Sequence, residues 1–222
     1  MKLIFIRQIT GLIRVQTGLH IGAGSESTQI GGVDTPIIRQ PLKQLPYIPG
    51  SSLKGKLRAL HELSAGNFAA DGRPHKCQNP NCVTCRLFGV GAAEKMETGP
   101  CRLIVRDCLL LETDKQTMLV GEQTTGLPYT EDKAETAINR ITGAAQNGSL
   151  RKTERVPAGV AFDLDMSLRV MDSDNEEELM IALKSAMCLL QQDALGGSGS
   201  RGYGKITFDD LHIDGQPQSL EG

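Results

Sequence analysis

The sequence is poor in aromatic side chains. Among 222 residues there is no tryptophan, and there are only three tyrosines and five phenylalanines. Sheets that bind RNA by the common mode present aromatic rings on which bases stack. If this chain binds nucleic acid, we therefore expect the contacts to run from loops to the sugar–phosphate backbone, which makes them tolerant of base sequence.

The sequence also lacks an excess of charge of one sign and any long apolar run. Its 24 basic and 26 acidic residues give a net charge of −2, so a polyanion would have to bind at a local basic patch. The apolar run at residues 1–6 is too short for a signal peptide and ends at Arg7, and no run approaches a membrane span. We expect a cytoplasmic protein without a membrane partner, whose six cysteines are metal ligands or buried thiols and not disulfides.

Hydrophobic periodicity predicts an α+β fold. Apolar residues alternate with polar ones in a strand near 13–17 and in a cleaner strand at 160–171. The remaining predicted elements are a helix at 51–64, a strand at 103–110, a helix at 176–192 and a strand at 205–213. The order β-α-β-β-α-β is that of a ferredoxin-like core, which is also the topology of RNA-recognition-motif domains.

Long irregular segments interrupt this core. We expect one domain over residues 1–214, with inserted loops at about 18–50, 65–100 and 112–158 and a flexible tail at 215–222. Long structured loops tend to carry function. The candidate functional residues therefore come mainly from these insertions and from the loop after the second helix.

The start of the helix at 51–64 has the features of a phosphate site. Ser51 or Ser52 is expected to cap it, and a helix N-terminus attracts anions through its unpaired N–H groups and its dipole. Lys54 and Arg58 lie one turn apart on the same face. The alternative is an ordinary solvated helix face.

A second glycine-rich stretch occupies residues 196–205. Part of it ends the preceding helix, but it holds more glycines than a helix end needs. Bare backbone lets N–H groups approach phosphates closely. The candidate RNA-binding residues here are Gly196, Gly197, Ser198, Gly199, Arg201, Gly202 and Lys205.

One carboxylate stands in a glycine loop upstream of the phosphate-type helix. Residues 31–36 read Gly-Gly-Val-Asp-Thr-Pro. Asp34 is either a turn residue or a group that holds a metal ion or helps to activate a ribose 2′-hydroxyl. His20 precedes the loop and is a second catalytic candidate, for proton transfer, with a purely structural histidine as the alternative.

A cluster of soft metal ligands lies within the insertion at 65–100. Zinc is held by four nitrogen or sulfur ligands in a tetrahedron, and a Cys-x2-Cys pair supplies two of them from one turn. Cys101 or Cys108 is an alternative to the histidine, and reduced free thiols are the alternative to a metal. A full ligand set leaves no open position, so the site would be structural. The predicted ligands are His75, Cys77, Cys82 and Cys85.

Several of these motifs together resemble one protein family. Residues 18–24, 32–34, 46–58, 85–89, 155–159 and 196–204 are similar, in the same order, to motifs of the RAMP superfamily of CRISPR-associated proteins. The nearest resemblance is to the repeated backbone subunit of type III-A (Csm) effector complexes. The final glycine loop is common to the whole superfamily, whereas the Gly-Val-Asp loop before the Ile-Pro-Gly-Ser-Ser helix is more specific.

The resemblance implies a function. Copies of the chain would line up along a guide RNA (crRNA) beside other CRISPR effector subunits, and Asp34 would cut the paired target RNA at regular spacing with a divalent ion such as Mg2+. An inserted thumb hairpin at 121–159 would wedge between guide and target. On sequence alone this segment is equally well interpreted as a mobile loop, although Asn147-Gly148 is a hairpin-turn signal.

Two other functions stay open at this point. The first is a scaffold subunit of the same complex without significant cleavage, which the presence of Asp34 argues against. The second is a stand-alone endoribonuclease that processes precursor guide RNA. Such an enzyme would need a general acid–base histidine, and His20 is the candidate that the sequence offers for that role.

Overall fold

The architecture is mixed α/β, and the strands pair antiparallel in every sheet. The computed structural model describes residues 1–24, 35–91, 98–115, 118 and 129–220. Its helices include α1 (Gly50–Ala65), α2 (Val83–Phe88) and α3 (Glu176–Gln192). Its strands are β1 (Leu3–Val15), β2 (Tyr47–Ile48), β3 (Leu103–Val105), β4 (Cys108–Leu109), β5 (Glu131–Glu135), β6 (Arg151–Arg155), β7 (Ala161–Met171), β8 (Ile206–Ile213) and β9 (Gln216–Pro217).

The central sheet has the strand order β3-β7-β1-β8-β9. Apolar residues at every second position of β7 are buried in the main hydrophobic cluster together with the apolar faces of α1 and α3. Between them, Asp163 is exposed. This alternation is what the sequence predicted, and it gives the sheet one face packed against helices. Among the described residues, no helix is both long enough and apolar enough to cross a bilayer.

Strand β1 begins much earlier than its alternation indicates. It runs from Leu3, whereas the sequence predicted a strand near 13–17. Leu3, Ile4 and Ile6 are exposed although they are apolar, so the apolar residues in the first half of the strand do not mark its inward positions. Pairing with β7 over almost its full length extends the strand instead.

The predicted serine cap of α1 is wrong. The N-cap is Pro49, whose own side chain makes no capping hydrogen bond. The Gly50 N–H donates to Asp107 Oδ1 at 2.8 Å instead. Ser51 is exposed and Ser52 is half-buried in the first turn. A carboxylate distant in sequence has therefore taken the role expected of the serines, and it occupies part of the anion-attracting helix end.

The apolar stripe of α1 is shorter than predicted. Leu53, Leu57 and Leu60 are buried, but Leu63 is 62% exposed. Glu62 is only 5% exposed, and its carboxylate accepts hydrogen bonds from the Arg58 guanidinium and the His75 N–H.

The predicted strand at 103–110 is two strands in different sheets. β3 pairs with β7, whereas β4 pairs with β2. The break falls at Arg106 and Asp107. The insertion before it, expected to be irregular throughout, contains α2.

The region that the resemblance predicts to form the thumb contains a two-stranded hairpin. β5 and β6 pair from Glu131 with Arg155 to Glu135 with Arg151. Gly148, in the predicted Asn-Gly turn, has φ +72°, which favours glycine. Residues 121–128 lie outside the described part of the chain, so the hairpin is established only from residue 129 onward.

Residues 216–218 of the predicted flexible tail are paired with the rest of the domain in the structure. β9 pairs with β8, and the Gln218 N–H donates to the Leu211 carbonyl at 2.8 Å. The Lys184 ammonium also donates to the Gln218 side chain at 2.8 Å. Paired backbone and a contact with α3 hold this segment against the domain.

Candidate functional site

The two ends of the loop that carries Asp34 are well anchored. Asp34 itself lies outside the described residues. On the two sides of its loop, the Ala23 N–H donates to the Pro36 carbonyl at 3.2 Å. Thr35, the next residue after Asp34, forms a bridge with Thr153 of β6. The segment that carries the aspartate is therefore closed at its base and attached to the hairpin.

His20 connects this base to the C-terminal glycine loop. Its Nδ1 lies 2.7 Å from the Glu154 carbonyl oxygen. Because a carbonyl only accepts, Nδ1 carries the hydrogen and Nε2 of the neutral ring keeps its lone pair. The Gly197 N–H donates to the His20 carbonyl at 2.8 Å. At Gly196, which has φ +77°, a Cβ would lie 2.3 Å from that carbonyl oxygen, so only glycine fits.

The Glu154 side chain fixes the same base and was missed by the sequence analysis. Its carboxylate accepts hydrogen bonds from the Ile37 N–H at 2.9 Å and the Thr130 hydroxyl at 2.8 Å, and it pairs with the Arg39 guanidinium. Burial alone would raise the pKa of this carboxyl, but these donors hold the pKa below its usual range. Glu154 is thus a buried anion that ties the segment after Asp34 to the hairpin.

The glycine loop combines tight backbone packing with exposed cations. The Gly204 N–H donates to the Gly18 carbonyl at 3.0 Å, and a Cβ on Gly204 would lie 2.0 Å from the Leu195 carbonyl oxygen. A 3-10 turn at Gly199–Arg201 lies between these packed glycines. Arg201 and Lys205 are exposed beside it. Some glycines are therefore needed for packing, whereas the cations face solvent.

Lys54 and Arg58 do not form an exposed cationic stripe in this structure. The Lys54 ammonium donates to the Leu103 carbonyl and to Cys101 Sγ, both at 2.9 Å. The Arg58 side chain is 18% exposed and pairs with Glu62 at 2.5 Å. The structure brings His20, the hairpin and the glycine loop together, but it directs these two cations towards the cysteine-containing insertion.

The four predicted zinc ligands converge. Their ligand atoms all lie within 4.8 Å of one another, with 4.0 Å between Cys77 Sγ and Cys85 Sγ and 3.4 Å between Cys82 Sγ and His75 Nε2. Tetrahedral zinc, with bonds of about 2.0–2.3 Å, places its ligand atoms about 3.5–3.8 Å apart. The donor set fits that ion, and the ligand atoms would have to move closer by up to about 1 Å to reach its tetrahedral spacing.

The alternative cysteines lie outside this group. Cys101 Sγ donates to the carbonyls of Leu87 and Leu103, and Cys108 is fully buried in the core. Burial raises the pKa of the Cys108 thiol to about 12. Burial also raises the pKa of the Cys85 thiol to about 12. A metal ion would have to displace the Cys85 proton to bind its sulfur.

The comparison with known proteins identifies the family. The model of the RAMP superfamily matches residues 12–207. The chain belongs to the RAMP superfamily. It is 39% identical to the CRISPR system Cms endoribonuclease Csm3 of Methanocaldococcus jannaschii, over 95% of this chain and 81% of that protein. The protein of the same name from Methanothermobacter thermautotrophicus is 41% identical, over 94% of this chain and 86% of that protein.

A solved structure gives the same result for this RAMP chain. The crystal structure of the Csm3-Csm4 subcomplex in the type III-A CRISPR-Cas interference complex matches 96% of this chain and 80% of that one. The TM-score is 0.61 and the sequence identity is 30%. The family resemblance seen in the motifs is therefore confirmed over nearly the whole length.

Proposed function

We propose that this RAMP chain is the repeated backbone subunit of a type III-A CRISPR effector complex and an endoribonuclease that cuts guide-paired target RNA. The names and coverage of its relatives support this function. The observation that carries it is the convergence of the base of the Asp34 loop, His20, the hairpin and the glycine loop. We place the protein in the cytoplasm, with guide RNA, target RNA, further copies of itself and other effector subunits as partners.

The ferredoxin-like core belongs to the same proposal. Four strands of the central sheet lie side by side in the order β3-β7-β1-β8. Along the chain, α1 lies between β1 and β3, and α3 lies between β7 and β8. This antiparallel order with two crossover helices supports a ferredoxin-like domain over residues 1–214. The β5–β6 hairpin would be the thumb that separates guide from target at the boundary between copies.

Guide RNA would bind mainly along the glycine loop. Exposed Arg201 and Lys205 supply charge there, and backbone N–H groups can approach phosphates. Contacts from Lys54 and Arg58 would require these side chains to exchange their present partners, so their part in the proposal rests on the family resemblance. The proposed RNA-binding residues are Ser51, Ser52, Lys54, Arg58, Gly196, Gly197, Ser198, Gly199, Arg201, Gly202 and Lys205.

Cleavage would depend on Asp34. Its carboxylate is the ligand type that Mg2+ prefers, and such an ion would supply charge stabilisation at the phosphate and a more acidic 2′-hydroxyl. His20 Nε2, with its lone pair, is suited to accept the proton that the 2′-hydroxyl loses. Because the base of the loop is anchored, we propose that the surrounding residues contribute to cleavage mainly by positioning the RNA and Asp34.

A cleavage assay distinguishes this function from its alternatives. The assembled complex is given guide-paired target RNA and, separately, precursor guide RNA. We expect cleavage of the target RNA at regular intervals and no cleavage of the precursor guide RNA. Binding without cleavage would identify a scaffold, whereas cleavage of the precursor by the isolated chain would identify a processing enzyme.

We also propose that His75, Cys77, Cys82 and Cys85 hold a structural Zn2+. The support is the donor set and its spacing. Arg58 and Glu62 hold the backbone of His75, since the guanidinium donates to its carbonyl at 2.6 Å and the carboxylate accepts its N–H at 3.1 Å. Such supporting contacts orient the ligands of metal sites.

A further inference from the structure

Three donors converge on the carboxylate of Glu135, at the end of β5. The Tyr203 hydroxyl donates to Oε1 at 2.8 Å. Arg201 Nε lies 3.2 Å from Oε2, and the Lys133 ammonium lies 3.4 Å from Oε1. Tyr203 and Arg201 belong to the glycine loop, whereas Lys133 belongs to the hairpin. One carboxylate therefore joins the loop to the hairpin.

Tyr203 is buried beside this group. It is 1% exposed, and two cations lie near its ring, with Lys133 Nζ at 4.4 Å and Arg155 Cζ at 5.1 Å from the ring centroid. Cations over an aromatic face attract the ring. The hydroxyl is thus aimed at Glu135 by the packing of its ring.

Glu135 is an anion in this arrangement. The Tyr203 hydroxyl above all, and then Lys133 and Arg201, hold the pKa of its carboxyl below the usual range despite partial burial. A hydroxyl, a guanidinium and an ammonium that meet at one anion make up the kind of donor set that also binds a phosphate. The Arg201 side chain is 56% exposed and that of Lys133 is 34% exposed, so both cations are within reach of an anion from solvent.

We propose that Glu135 occupies the place of an RNA phosphate on the glycine loop and competes with guide RNA for Arg201 and Lys133. The inference rests on the proposed function, since it assumes that this loop binds RNA. Its ligand class is the phosphodiester backbone of single-stranded RNA. The carboxylate lowers the affinity of the unloaded chain for RNA of any sequence, and a bound phosphate replaces it.

The test is the salt dependence of RNA binding by the Glu135→Gln variant. Glutamine keeps the shape and an acceptor for Tyr203 but removes the charge. We expect about twofold to fivefold tighter binding of a guide-length RNA, the range of an exposed ion pair. The slope of log K against log salt should steepen by about 0.7–1.4, as one or two freed cations release counterions on a single strand. Unrelated RNA sequences should show the same change.

Glu177→Gln is the matched control. It changes the net charge equally, but it lies in the first turn of α3, at the opposite end of that helix from the glycine loop. We expect no change in its salt slope. An unchanged slope or weaker binding for Glu135→Gln would overturn the inference. A wild-type chain that binds no RNA would instead overturn the proposed function.

Tyr203→Phe provides a second route if Glu135→Gln does not fold. It keeps the aromatic ring beside Lys133 and Arg155 and removes the hydroxyl that donates to the carboxylate. We expect a smaller gain in affinity in the same direction, at a melting temperature that is measured in parallel. A loss of affinity at unchanged melting temperature would show that the hydroxyl itself binds RNA, which contradicts the competition.

Discussion

The guanidinium of Arg58 donates to the backbone carbonyl of His75 at 2.6 Å. This bond joins α1 to the segment that carries the metal ligands. The same guanidinium also donates to the Gly89 carbonyl at 3.0 Å, beyond the end of α2. A residue that the sequence analysis proposed as a phosphate contact therefore also holds the cysteine-containing insertion against the helix.

We expect Arg58→Ala to lower both zinc content and melting temperature. The variant loses bonds to two carbonyls and leaves the nearly buried carboxylate of Glu62 without its guanidinium partner. Arg58→Lys should not restore either property, because an ammonium cannot reproduce the planar fork. Metal analysis and thermal unfolding measure the two effects. Normal zinc content with a reduced salt slope for RNA would instead make Arg58 primarily an RNA contact.

The elements that the sequence predicted well are those with strict periodicity. The strand at 160–171 and the helix at 176–192 are observed as β7 (Ala161–Met171) and α3 (Glu176–Gln192). Their own side chains carry the pattern. The first half of β1 and the strand β9 were missed, because pairing with distant strands forms them and their local composition does not.

We expect Cys82→Ser to remove the metal and destabilise the protein. Zinc binding contributes to the folding free energy of such segments, and a fall in melting temperature of at least about 5 °C is expected for a chain of this size. Cys188→Ser is the control, since Cys188 lies on α3 and its thiol donates to the Leu220 carbonyl. A metal-free wild type, or an unchanged melting temperature in Cys82→Ser, would contradict the zinc site.

Within the candidate sites, too, the sequence predicted the residues that lie close together along the chain and missed those whose partners are distant. The metal cluster was predictable because all four residues lie within eleven positions. Glu154 and Glu135 were not, because Ile37 and Tyr203 lie 117 and 68 positions away from them, respectively. In the sequence both are ordinary acids in polar strands, and only the fold gives each its donors.

The buried carboxylate of Glu154 should make stability depend on acid pH. The pKa of this carboxyl is lowered in the folded state. The carboxylate therefore contributes to the free energy of unfolding near neutral pH, and this contribution is lost as the pH falls through the lowered pKa. We expect Glu154→Gln to cost about 2 kcal/mol at pH 7, as for a hydrogen-bonded charged group. Thermal unfolding against pH measures the difference from wild type, which should narrow below about pH 4. If the stability difference between wild type and Glu154→Gln stayed constant down to acid pH, Glu154 would not be the anion that stabilises the fold.

Asp34→Ala should abolish target cleavage and leave guide binding intact. The proposed guide contacts lie mainly on the glycine loop, so the carboxylate is needed for the chemical step and not for holding the guide. Gel assays of the assembled complex measure cleavage and binding together, and a chelator added to wild type should also stop cleavage. Glu177→Ala, on an exposed position in the first turn of α3, is the control and should cut normally. Full cleavage by the Asp34 variant would exclude it as the catalytic group.

The role of His20 can be tested with variants that distinguish between its two ring nitrogens. Nδ1 donates to the Glu154 carbonyl, whereas Nε2 is the atom available for proton transfer. Asparagine places an amide N–H near the position of Nδ1 and has no counterpart of Nε2. We therefore expect His20→Asn to keep the melting temperature of the wild type and to cut target RNA about 100-fold more slowly, as for a lost general acid–base group.

His20→Ala separates the structural role from the chemical one. It removes the bond to Glu154 as well as Nε2, so we expect it to lower the melting temperature in addition to the cleavage rate. If His20→Asn cuts at the wild-type rate while His20→Ala is destabilised, the histidine only joins the Asp34 loop to the hairpin.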